Sequence, residues 1–181
     1  TSIQPPLLYI CFFSPSLAFS EPQPAKENIR RAREARELGA TEVCVQAGLP
    51  PKMDGDLYVD LTKAIKADLP DMHIHGFSPE EVLYGSIRAK ESIAQYLARL
   101  KDAGVGSLPG TSAEILDQRI RDRIAPGRIT VDIWTEVIMT AHRRGIPTTS
   151  TIMFGHIESP MDRASHLDYV RSIQVATGGI T

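Results

Sequence analysis

Four short segments of the 181-residue sequence gather residue types that bind or transform polar small molecules. The first is Gln46, Ala47 and Gly48. The second is 73–78, reading HIHGFS, and the third is 107–111, reading SLPGT. The fourth is 154–158, reading FGHIE. Each pairs a backbone that can approach a ligand closely with side chains that donate, accept or carry protons. Two positions apart on a strand, His73 and His75 would share one face. Two imidazoles on one face suit either of two chemistries. They could ligate a metal, with His156 and Glu158 adding donors from another strand end, as in a metal-dependent barrel hydrolase. Alternatively they line an interior and hydrogen-bond to neighbours or substrate. A two-residue spacing with no further ligand spacing supports the second reading more than the first.

Such segments need elements to hold them, and the chain alternates helical and strand signals from Glu21 onward. Ile29, Ala32, Ala35 and Leu38 recur at helical spacing before Gly39, which predicts a helix over 25–38. The run TEVCVQ at 41–46 predicts a strand. Leu57, Leu61, Ala64 and Ile65 mark a helix ending near Pro70, and 71–77 reads as a strand. Ser78 as cap, Pro79 in the first turn and Glu81 as capping-box partner predict a helix start. Ser92 with Gln95 repeats that logic, and Gly104 stops the second helix. A short strand is expected at 105–108, and helices at 112–124, 130–144 and 161–176. A β-branched run at 147–154 adds a strand, and Gly178 and Gly179 lead toward another.

Strands alternating with helices imply an α/β fold with a parallel sheet of about four to five strands and flanking helices. A closed eight-stranded barrel takes about 250 residues, so this length suits a partial (β/α) barrel or a small open sheet. In both, active sites form where parallel strands end, which is where the four polar segments fall.

Other chemistries find no support. No glycine-rich dinucleotide loop, phosphate-binding loop or nucleophile elbow is present. Cys44 lies between Val43 and Val45 and reads as a buried, inert thiol. The composition is that of a globular protein, 42% apolar and 23% charged, with a net charge of -2. That charge argues against nucleic acid as a partner. Arg30, Arg31, Arg33 and Arg36, and again Arg119, Arg121 and Arg123, are interleaved with acids and read as solvated helix faces. The apolar core at 7–13 is too short to span a bilayer and lacks the preceding Lys or Arg of a signal peptide. No membrane association is expected. Two cysteines, Cys11 and Cys44, cannot build a disulfide framework, so the cytoplasm is the expected compartment.

Taken in order and spacing, ATEVCVQAGLPP, MHIHGFSPEEVLYG, SLPGTSAEILD and IPTTSTIMFGHIESP resemble the tyrosine-using radical S-adenosylmethionine (SAM) component of the deazaflavin (FO) synthases. The resemblance covers roughly 160 residues and rests on four separate strand-end motifs. It implies a (β/α) barrel of radical SAM type, a 4Fe-4S cluster, and a 5'-deoxyadenosyl radical that attacks tyrosine. The hydroxybenzyl fragment would pass to a ribitylaminouracil, and a partner radical SAM component or domain would close the deazaflavin ring. By position, the resemblance assigns Gln46, Ala47 and Gly48 to the amino-acid end of SAM, with Ala47 standing where the family has Gly. It assigns Thr111 and Glu114 to the SAM ribose and carboxylate, and Thr151, Met153, Gly155 and Glu158 to the strand along the adenine. It assigns His73 and His75 to the substrate side, as candidate catalytic residues.

The sequence departs from the family at the cluster. The family pattern is C-x3-C-x2-C after its first strand. Counting from Cys11 places Pro15 and Ala18 at the other two positions, and the alternative register places Ile10, Ser14 and Leu17 there. One thiolate cannot hold a cluster that needs three or more. The expected organisation is therefore an atypical segment over 1–20 followed by a partial radical SAM barrel over 21–181, a fragment inactive by itself.

Overall fold

The computed structural model describes residues 8–11 and 25–181. The stretch 12–20, where the remaining cluster cysteines would fall, and the domain boundary at residue 20 lie outside the described residues.

Strand β1 (Leu8–Cys11), helix α1 (Ala25–Glu37), strand β2 (Glu42–Gln46), helix α2 (Leu57–Asp68) and strand β3 (His73–Gly76) alternate along the chain. Helices α3 (Pro79–Ala89), α4 (Ile93–Ala103), α5 (Gln118–Ile124), α6 (Val131–Arg143) and α7 (Pro160–Thr177) follow. The strands pair in parallel in the order β1-β2-β3, with Tyr9 opposite Cys44 and Cys44 opposite His75. Single-residue bridges extend the same parallel order: His75 to Ser107, Leu108 to Thr148, and Thr148 to Ile180. Backbone bonds continue across them, Gly76 N–H to Ser107 O at 3.0 Å and Leu108 N–H to Pro147 O at 3.0 Å.

Alternation divides the sheet faces. Val43, Val45 and Ile74 are buried against Tyr58, Ile65, Val82, Leu97 and Leu100 of the helices. Fully burying one such side chain contributes about 1.5–3 kcal/mol. The intervening residues Cys44, Gln46, His73 and His75 take the other face. A second apolar cluster joins Ala113, Leu116, Ile129, Trp134, Ile138 and Ile173.

The helix starts follow their caps. Ser78 with Glu81 and Ser92 with Gln95 form the expected capping boxes, and Ser159 with Asp162 forms a third. Residues 8–11, for which no element was expected, pair as a strand on β2. Three sequence-based expectations are corrected. The helix expected from Ser112 begins only after Asp117, whose carboxylate accepts from Ile120 N–H at 3.2 Å. Before it, Ser112 and Glu114 adopt left-handed backbone with φ of 63° and 43°, which excludes a helix there. The strands expected at 105–108 and 147–154 shrink to bridges. After Thr148 the chain docks on the preceding loop, with Gly110 N–H to Thr149 Oγ1 at 3.1 Å and Met153 N–H to Glu114 O at 3.0 Å. Arg121 is 1% exposed rather than solvated. Among the described residues no helix is long and apolar enough to cross a membrane.

Candidate functional site

The loop after β2 is fastened by a residue whose role beyond capping the sequence reading missed. The Glu81 carboxylate, 2% exposed, accepts from Ala47 N–H at 2.6 Å and Gly48 N–H at 2.8 Å through Oε1. Its Oε2 accepts from Ser78 N–H and Ser78 Oγ, each at 2.7 Å. Burial pushes this carboxyl up, against the pull of those hydrogen bonds. Tyr58 Oη donates to Gly48 O on the other side of the loop. The N–H groups of Ala47 and Gly48 are therefore held inside the protein, and the loop enters any ligand contact with its shape already set.

Along β3 the two histidines converge on one hydroxyl. Ser107 Oγ lies 2.8 Å from His73 Nε2 and 2.7 Å from His75 Nδ1. Glu42 Oε2 stands 3.5 Å from His73 Nε2. Burial, with the neighbouring His73, holds the His75 pKa down, and Glu42 opposes this. Ser107 sits 34 and 32 residues from its partners, so no local pattern could reveal it.

The third and fourth segments are knit together. Thr151 Oγ1 donates to Gly110 O at 3.2 Å. A Cβ on Gly110 would come within 1.9 Å of Thr149 O, so only glycine permits this approach. Beneath them the Arg121 guanidinium donates to Ser112 O at 2.8 Å, Ala113 O at 2.5 Å and Ile129 O at 2.6 Å. It also pairs with Glu114 Oε2 at 3.1 Å. Trp134 Nε1 donates to Thr111 O at 3.1 Å. Buried His166 accepts from Leu116 N–H at 3.0 Å through Nδ1, and burial keeps its pKa down.

Glu158 closes its own turn. Its carboxylate accepts from Gly155 N–H at 2.7 Å, His156 N–H at 2.9 Å and Arg163 Nε at 2.9 Å. These bonds, the Gly155 one foremost, hold its pKa down to about 2. Gly155 has φ of 101° and open space about its Cβ position, while Met153 and Phe154 are exposed.

Thr111, Glu114, Thr151 and Met153 are thus brought into one bonded unit. Gln46, Ala47 and Gly48 form a second, set by Glu81, and His73 with His75 a third, centred on Ser107. His156 is exposed and belongs to none of them. Among the described residues no group of three or more His, Cys, Asp or Glu side chains is placed to hold a metal ion. The hydrolase reading with His73, His75 and His156 as ligands therefore lacks a geometric basis.

The model of the radical SAM superfamily matches residues 10–170. A 5-amino-6-(D-ribitylamino)uracil–L-tyrosine 4-hydroxyphenyl transferase of Methanothermobacter thermautotrophicus is 52% identical over 150 residues, 83% of this chain and 41% of the relative. The enzyme of that name from Methanopyrus kandleri is 48% identical over 151 residues, again 83% and 41%. An FO synthase of Nocardia farcinica is 47% identical over 151 residues, covering 18% of its length. The chain spans about two-fifths of the length of the stand-alone transferases it matches. With parallel strands, flanking helices and the family match over most of its length, the chain belongs to the radical SAM superfamily.

Proposed function

We propose that this chain is part of a transferase of deazaflavin biosynthesis that moves the hydroxybenzyl group of tyrosine onto a ribitylaminouracil. The observation that carries this reading is the 52% identity, over 83% of the chain, to a relative named for those two substrates. The setting would be a partial (β/α) barrel of radical SAM type, in the cytoplasm, working with a second radical SAM component that closes the deazaflavin ring.

SAM would lie across the strand ends. The exposed Met153, Phe154 and bare Gly155 offer an apolar surface for a purine. Thr111 and Glu114 would meet the ribose and amino-acid portion, Glu114 through Oε1, since Oε2 stays on Arg121. Gln46 and Ala47 would meet the methionine end, and Thr151 would keep the two central loops in register. Glu158 would act by shaping the turn at Gly155, because three donors already engage its carboxylate. His73 and His75 would face tyrosine and the uracil.

The cluster is a different matter. The sequence supplies Cys11 and Cys44, and Cys44 is 4% exposed within β2. Two cysteines cannot provide three thiolates, so these residues do not fit the group and no step is routed through it. What the described residues support is SAM binding and substrate orientation.

Calorimetric titration of the chain with SAM, paired with metal analysis, tests the reading. Saturable binding of one SAM per chain is expected. No binding of SAM, together with tight zinc or manganese and hydrolytic activity, would overturn it.

A further inference from the structure

Glu42, His73, Ser107 and His75 form a continuous line on one face of the sheet. Glu42 pairs with His73 across β2 and β3, near the strand starts, and His75 lies one step nearer the strand ends. The separations along the line are 3.5, 2.8 and 2.7 Å. The last two are hydrogen bonds sharing a single hydroxyl oxygen, Ser107 Oγ.

A serine hydroxyl has one proton to donate. Facing two imidazole nitrogens, it donates to one and accepts from the other. The Glu42 carboxylate beside His73 Nε2 decides which, because a negative charge favours a proton on that nitrogen. His73 Nε2–H therefore donates to Ser107, and Ser107 donates to His75 Nδ1. His75 must then carry its own proton on Nε2, the nitrogen left to meet a ligand.

We propose that these four residues are a proton relay that feeds the strand-end site, with His75 Nε2 as the delivering atom. It rests on the proposed function only in taking the strand ends as the reacting end. One turn of the relay starts with His73 as the imidazolium. His73 Nε2 passes its proton to Ser107 Oγ, Ser107 passes its original proton to His75 Nδ1, and His75 Nε2 gives its proton to an amine or ring nitrogen of the substrate. One proton has left His73 and one has reached the substrate. His73 ends neutral with its proton on Nδ1, Ser107 is again a hydroxyl, and His75 is neutral with its proton on Nδ1. The His73 side chain is 41% exposed, so water can reload it. Burial disfavours a charge on His75, so the charge only passes through that imidazole. His75 is the catalytic residue of the line, and Glu42, His73 and Ser107 are positioning and supply residues.

The test is the tautomer of His75, read by nitrogen-15 NMR of the histidine side chains in the full chain near neutral pH. The expected state is Nε2–H with Nδ1 unprotonated. Ser107→Ala should abolish this preference, and Ser107→Thr, which keeps the hydroxyl, should restore it. A merely space-filling Ser107 would leave the tautomer unmoved in the alanine variant. Finding His75 protonated on Nδ1 in the unaltered chain, or the same tautomer in Ser107→Ala, overturns the relay. Failure of SAM to bind would instead sink the proposed function and leave this readout intact.

Discussion

The two halves of the described chain hold their strand ends by different means. Over 42–103, β2 and β3 form a regular ladder that packs on an apolar cluster on the helix side. The loop at the end of β2 is finished by the buried Glu81 carboxylate on its amides and by Tyr58, Tyr84, Arg88 and Tyr96 on its carbonyls. Over 104–158 the ladder thins to single bridges, and the loops are held by a buried cation, Arg121, and a buried imidazole, His166. Where the backbone ladder is short, side chains must satisfy the loop carbonyls and amides that a strand or helix would have satisfied. In the first half such side chains finish a loop beside an intact ladder; in the second they act where the ladder has thinned to bridges.

The sharpest way to break that comparison is Arg121→Met. It strips Ser112 O, Ala113 O and Ile129 O of their donor and leaves Glu114 without its partner. A loss of about 3–5 kcal/mol is expected, the scale for removing one partner of a buried pair. Urea unfolding would measure it. An unchanged midpoint would mean that the second half does not lean on this residue.

Glu81→Gln should cost less, about 1–3 kcal/mol, because the ladder beneath it persists. The amide's NH2 cannot accept from the donors that now face it. Hydrogen exchange at the Ala47 and Gly48 amides should accelerate while the β2–β3 ladder stays protected. Uniform acceleration through β3 would show that the two halves are not distinct in this way.

The smallest effect is a pH dependence. His166 is held neutral, with its folded pKa below the ordinary value near 6.5. The unfolded chain therefore binds the proton more readily. The contribution is fully present above about pH 6.5 and is lost as pH falls through the lower folded value. His75 and His142 share this direction. Denaturant midpoints should fall between about pH 7 and 5, less steeply in His166→Gln. Glu158 acts at more acid pH: its contribution stands above the ordinary Glu value and fades as pH falls toward about 2. Equal slopes in the His166 variant and the unaltered chain would count against the anchor.

The same division governs what the sequence disclosed. Two helix starts were legible from a serine cap with Glu or Gln three residues on, Ser78 with Glu81 and Ser92 with Gln95, while the Ser159–Asp162 box was not read. The shared face of His73 and His75 was legible from strand periodicity alone. Ser107 was not recognised as their partner, because a serine 32 residues away becomes a partner only when β3 and the next strand position align. Arg121 resembled its exposed neighbours Arg119 and Arg123, since burial of one guanidinium depends on where three distant carbonyls are brought. The left-handed Ser112 and Glu114 sit in a segment whose composition suits a helix. Leu8–Cys11 lies in an apolar run without alternation, so its pairing with β2 left no period-two signal.

The central claim is that the strand ends form a SAM site with a separate substrate side. Its most direct test is SAM affinity by calorimetry in Glu114→Ala against His75→Ala, each beside the unaltered chain. Loss of one charged hydrogen bond at Glu114 should weaken SAM about tenfold to a hundredfold, while His75→Ala should leave the affinity unchanged. Equal weakening in both variants, or no SAM binding by the unaltered chain, would contradict it.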